Sequence, residues 1–138
     1  MNAVLNFPVI CFHRQFALLV KDWGGLTTTT KAALKRGNFD NLLIVDSTGQ
    51  AVRVKGARYL HSVGPFGGYN IFLNQRIKVA LEYNGAPFQM SLEEVKERIF
   101  RSFEEWEGWS SGSNLEELQE QIQHAASIKE IFNIIFST

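Results

Sequence analysis

The hydrophobic pattern changes period once, near Gln89, and that change limits the possible folds more than anything else in the chain. Beyond it, three segments open with one kind of start signal. Ser91-Leu92-Glu93-Glu94, Asn114-Leu115-Glu116-Glu117 and Ser127-Ile128-Lys129-Glu130 each set a small polar residue three positions before a glutamate. In a capping box the two side chains satisfy each other's free backbone donors. After the first signal, Leu92, Val95, Ile99, Phe103 and Trp106 fall on one helical stripe, and Met90 is placed to staple onto Val95. Leu115, Leu118 and Ile122 repeat the stripe, as do Ile128, Ile131, Phe132, Ile135 and Phe136. Three helices are predicted, the first two separated at Gly108 to Ser113.

Ahead of Gln89 the period is two. Residues 8–20 are rich in β-branched and aromatic side chains, predicting one long strand or two short ones broken near His13-Arg14. Thr27 to Thr30 can be extended or cap a short helix over Lys31–Arg36, which Gly37 would end. Leu42-Leu43-Ile44-Val45 is a compact apolar strand. Asp46-Ser47-Thr48-Gly49 suits a type I turn, with Asp first and Gly last. Val52 and Val54 then alternate with Arg53 and Lys55, and Gly56 marks a bulge. Residues 76–83 alternate again before the turn at Asn84-Gly85. The expected architecture is α+β: an antiparallel sheet of four to five strands followed by three C-terminal helices packed on one face. Residues 1–138 read as a single domain, with 1–89 mainly strands and 90–138 helical. The basic residues of the alternating strands would then occupy the opposite, solvent-facing side.

Composition sharpens this division. With 45% hydrophobic residues and a formal net charge of zero, the chain is not of the disordered class. The zero conceals a split. Residues 1–89 hold ten basic and four acidic side chains, a net of +6; residues 90–138 hold four basic and ten acidic, a net of −6. One cysteine, Cys11, excludes an internal disulfide framework, and its apolar neighbours mark it as a buried hydrophobe. The N-terminus lacks a basic region before its apolar run, and no stretch approaches the ~20 apolar residues that span a bilayer. The expectation is a cytoplasmic protein that does not enter a membrane.

Motifs for chemistry are sparse. Gly64-Pro65-Phe66-Gly67-Gly68 precedes a strand rather than a helix, unlike a dinucleotide-binding loop, and reads as a partner-contacting surface loop. His13, His61 and His124 form no metal-ligand pair, and neither a metal nor another cofactor is expected. His124 lies near a helix C-terminus, where a cation is favoured. No residue set specifies a catalytic centre. The one enzymatic alternative is a small ribonuclease in which Arg53, Lys55 and Arg58 form a cationic face with His61 as base, and Asp46 or His13 as the second acid or base. The same face, with Tyr59, Phe66 and Tyr69 for stacking, suits nucleic-acid binding without catalysis. The leading reading instead uses the acidic region. Glu104, Glu105, Glu107, Glu116, Glu117 and Glu120 cluster around the helix break beside Trp106 and Trp109. Carboxylates steer the encounter with a basic protein and aromatics supply the central contact. A homodimer through Phe and Trp near Gly67 and Gly108 is a further alternative.

Three runs carry a resemblance: Asp46-Ser47-Thr48-Gly49, then Val54-Lys55-Gly56-Ala57, then Met90-Ser91-Leu92-Glu93-Glu94-Val95-Lys96. The chain resembles, over most of its length, small bacterial α+β proteins, some of which are similar to immunity proteins of polymorphic and contact-dependent toxin systems. The resemblance implies a non-catalytic inhibitor that docks onto a toxin, often a basic nuclease, through acidic and aromatic residues. Immunity families share no catalytic motif, so it transfers no site residue.

Overall fold

The computed structural model describes residues 5–14, 16–63, 76–105 and 115–137. Its elements are β1 (Val9–His13), β2 (Phe16–Val20), α1 (Trp23–Leu26), β3 (Thr28–Thr30), α2 (Lys31–Lys35), β4 (Leu42–Asp46), β5 (Gln50–Ser62), β6 (Arg76–Tyr83), β7 (Phe88–Gln89), α3 (Leu92–Glu105), α4 (Leu115–Gln123) and α5 (Ile128–Phe136). The strands build one curled antiparallel sheet in the order β2-β1-β4-β5-β6-β3, with β7 beside the start of β5. The α+β class and the antiparallel sheet follow the sequence pattern. The strand count does not: the described residues contain seven strands rather than four or five, and beside the three C-terminal helices and the short α2 read over Lys31–Arg36 there is one further helix, α1. The additional elements are short. β3 and β7 span three and two residues, and α1 is a single turn held by Asp22 Oδ1, which accepts from Gly25 N at 2.7 Å. Segments of that length leave no periodic signature. Thr30 caps α2 by accepting from Ala33 N, and Gly37 follows with φ +78°, as a C′ glycine does.

The sheet is covered on both faces. On its outer face, Ile10, Phe12, Leu43, Val45 and Ala51 form one core with Val95, Ile99, Phe103, Ile122, Ile131, Phe132 and Ile135 of α3, α4 and α5. On its opposite, inner face, Val9, Cys11, Leu42, Ile44, Val52, Val54, Ile77 and Val79 form a second core, closed by Leu26 and Phe39. Each such side chain taken out of water contributes roughly 1.5–3 kcal/mol. The expected solvent-facing basic side is therefore corrected: opposite the helices lies a second core. Four consecutive buried residues in β1 (Val9-Ile10-Cys11-Phe12) and five in β4 carry the signal, since a continuous apolar run is buried on both faces.

Curling depends on β5. Its first residues pair with β4 and β7, and its later ones with β6. The register slips between Val54 and Gly56 and again between Tyr59 and His61. Bulges increase local twist and bend the strand, so thirteen residues serve two differently oriented halves of the sheet.

The β4–β5 turn locks this arrangement. Asp46 is fully buried; its Oδ1 accepts from Thr48 N (2.9 Å), Thr48 Oγ1 (2.7 Å) and Gln50 N (3.0 Å), and its Oδ2 from Asn6 N (2.9 Å) and Asn6 Nδ2 (3.2 Å). It is a turn residue, as its sequence context suggests. Gly49 takes φ +87°, and its carbonyl accepts from Met90 N at 2.8 Å, just ahead of α3. A Cβ there would come within 2.5 Å of Gln89 Nε2 and Ile128 Cδ1. Among the described residues no helix is long and apolar enough to cross a membrane.

Two measurements check these features. Replacing Asp46 with Ala strands five part-buried donors at once and should lower the unfolding free energy by about 2–4 kcal/mol in urea; an unchanged midpoint would contradict the turn network. Burial pushes the Cys11 thiol up to about 12, so at pH 8 only about one molecule in ten thousand carries the reactive thiolate. Native protein should resist iodoacetamide at pH 8 and react fully in denaturant, whereas stoichiometric native alkylation would show that Cys11 is not held in the core.

Candidate functional site

Helix α3 begins as its sequence predicts. Ser91 Oγ accepts from Glu94 N at 3.2 Å and Glu94 Oε1 accepts from Ser91 N at 2.9 Å. These bonds hold the exposed Glu94 carboxyl below its ordinary 4.5, so their contribution to stability is present above that value and fades as the solution is acidified through the lowered one. α5 uses a variant: Ser127 Oγ accepts from Glu130 N, while Glu130 Oε2 reaches back to Ala126 N. Asn114, the expected cap of α4, lies outside the described residues.

With Val95, Ile99 and Phe103 committed to the core, α3 turns Glu93, Glu97 and Glu104 to solvent. Phe100 sits among them, half-buried, its ring centroid 6.0 Å from that of Phe103. These residues line a groove of about 460 Å³ together with Lys96, Arg101 and Gln123. Lys96 is buried and donates from Nζ to the Gln123 carbonyl at 2.9 Å. A cation there meets the negative end of α4, so this residue ties α4 to α3; the exposed His124 lies one residue beyond. Arg101 bonds Glu97 at 3.2 Å across an exposed i,i+4 pair, which is worth little in water.

The acidic residues expected to meet a partner are only partly gathered by this geometry. Glu104 lines the groove, and Glu116, Glu117 and Glu120 are exposed on α4. Trp106, Glu107 and Trp109, and the side chain of Glu105, lie outside the described residues, as does the Gly64–Gly68 loop. Glu93, Glu97 and Phe100 were not among the expected contacts. Their signal was present in the sequence: 93, 97, 100 and 104 step by four, three and four, the complement of the core stripe.

The alternative basic set is dispersed. Arg53 follows Ala51 onto the outer face, in register with Leu43, and donates to the Asn41 carbonyl at 3.1 Å. Lys55 is exposed at the first bulge. Arg58 and His61 stand opposite Ala80 and Lys78 on the outer side of β5, whereas Tyr59 stands opposite Val79 on the inner side and meets Ser62 Oγ at 3.3 Å. His61 Nδ1 lies 3.0 Å from the Ser62 carbonyl. Asp46 bonds Gln50 N, eleven residues up the same strand from His61, which at about 3.3 Å per residue is roughly 36 Å along the strand. His13 ends β1 and lies in a cleft with Arg53, near the start of β5 rather than its end. Neither histidine–carboxylate nor histidine–histidine pairing, as sketched from sequence, is assembled.

No protein-family model matches the chain, nor does any curated protein or solved structure.

Exchanging Lys96 for Met keeps the aliphatic stem but removes the α4 cap. The unfolding free energy should fall by about 1–2 kcal/mol, read from urea denaturation followed by circular dichroism; no change would show that the Lys96–Gln123 bond does not anchor α4.

Proposed function

We propose that the chain is a non-catalytic protein-binding module that docks a basic protein on its helical layer, in the manner of a toxin-inhibiting immunity protein. The observation that carries the reading is the groove on α3, where half-buried Phe100 is set between Glu93, Glu97 and Glu104. An aromatic ring anchored in the core, and already restricted in motion, is the kind of side chain that dominates interface energetics. The flanking carboxylates suit steering of a cationic partner, and Glu116, Glu117 and Glu120 on α4 extend the same sign of charge. A second reading uses Arg58, His61 and Arg76, exposed on the outer side of the β5–β6 half-sheet, to bind nucleic acid.

Association with the product of the adjacent gene separates the two. The docking reading predicts a stable complex whose association slows with added salt. It also predicts a loss of about thirtyfold for Phe100→Ala and tenfold or more for reversal of Glu93, Glu97 and Glu104 to Lys. A complex indifferent to both changes would defeat it. So would tight, strongly salt-dependent binding of single-stranded RNA in place of the protein complex, which would favour the basic half-sheet.

A further inference from the structure

Where the β1–β2 turn, the segment after α2, the first part of β5 and the flank of α3 that carries Arg98 come together, they enclose a cleft of about 440 Å³. Four arginines reach it from four separate elements: Arg14 from the turn, Arg36 from the C-cap of α2, Arg53 from β5 and Arg98 from α3. Asp40 is the one carboxylate among the described lining residues, whose formal charges sum to +3 with His13 neutral. Neither the acidic docking groove nor the outer basic half-sheet uses it.

Two of these guanidiniums are held in place. Arg53 Nη1 donates to the carbonyl of Asn41, itself at a left-handed φ of 59°. Arg98 lies over the Phe12 ring, with Cζ 4.8 Å from its centroid, an arrangement in which the aromatic quadrupole supports the charge. Arg14 and Arg36 are exposed at the rim. His13 stacks on Phe16 with ring centroids 4.7 Å apart, and burial, with the nearby Arg14 charge, holds it below its ordinary 6.5. Like charges gathered over one cavity raise the positive potential within it and so favour an anion there.

The chemistry of the donors narrows the ligand. Guanidinium is a planar fork of N–H donors that matches phosphate oxygens two at a time and stays charged at every physiological pH. Both aromatic rings among the described lining residues already have a face engaged, Phe12 by Arg98 and His13 by Phe16, which disfavours stacking of a base. The volume exceeds that of one phosphate group and falls within the range of small-molecule sites.

We propose that this arginine cleft is a binding site for a small molecule bearing a diphosphate group, recognised through its phosphates alone. Rim residues Arg14 and Arg36 close on the anion from outside, while Arg53 and Arg98 supply fixed positive charge from the floor.

The test is titration calorimetry of the intact chain with inorganic pyrophosphate, which requires no protein partner and so stands or falls apart from the docking reading. Saturable binding should weaken tenfold or more in Arg14→Ala and in Arg36→Ala, both exposed positions whose loss leaves the cores untouched. Arg36→Lys should recover only part of the loss, because an ammonium cannot make the bidentate contact. Lys35→Ala, an exposed cation beside the cleft but not lining it, should bind as the parent does. Uridine diphosphate should bind no tighter than pyrophosphate, and citrate clearly more weakly. Absence of saturable binding would overturn the proposal, as would equal losses in Lys35→Ala and Arg36→Ala. Citrate matching pyrophosphate would replace a phosphate site with one selecting charge alone, and a nucleotide preference would mean that a base is read; either result overturns the assignment.

Discussion

The buried carboxylate of Asp46 is the point on which the rest of this structure depends. Five donors converge on its two oxygens, from Asn6, Thr48 and Gln50. They tie together the approach to β1, the β4–β5 turn and the first residue of β5. Because side chains alternate along a strand, a slip of one residue here would exchange the two faces of β5. Val52 and Val54 would leave the inner core, and Arg53 would enter it. Gly49 passes the constraint onward: its carbonyl receives Met90 N, and its missing Cβ admits Gln89 and Ile128. The helical layer is thus seated against the sheet at the same turn that sets the sheet's register.

From that anchor the sheet makes two environments with one set of strands. β1 and β4 are apolar on both sides because they separate two cores. β5 leaves this shared region at its first bulge, so its polar side chains are distributed rather than aligned. Arg53 falls in a cleft against α3 and the end of β1, while Arg58 and His61 emerge farther along the outer surface. The basic excess of residues 1–89 accordingly has no single face. The acidic excess of residues 90–138 has one clearer axis, the solvent side of α3, where three carboxylates flank Phe100. Lys96, formally a member of the acidic region, works as an internal cap instead of a surface charge.

Local signals were legible wherever the physics is local. The Ser91–Glu94 capping box, the Asp46–Gly49 turn, the Thr30 cap and the stripe of Val95, Ile99 and Phe103 each involve residues within one turn or one hairpin, and each appears in the structure. Of the docking groove only Glu104 was legible, standing out by composition together with the α4 glutamates. Glu93, Glu97 and Phe100 did not, because their significance lies in being opposite a core stripe rather than in any motif. The arginine cleft was not legible at all: from Arg14 to Arg36, Arg53 and Arg98 the successive gaps are 22, 17 and 45 positions, with no shared spacing.

By itself, the sequence determined the α+β class, the antiparallel alternation before Gln89, the three helices after it and the opposed charges of the two regions. These follow from periodicity, capping and composition, all of which act over a few residues. Only the tertiary structure decided that the sheet curls around a second core, that its far side is therefore not a basic surface, and that four distant arginines face one cavity. Those outcomes depend on strand order, on two register slips in β5 and on which elements close over one another. Such pairings are long-range, and their energies arise only once the chain has brought the partners together.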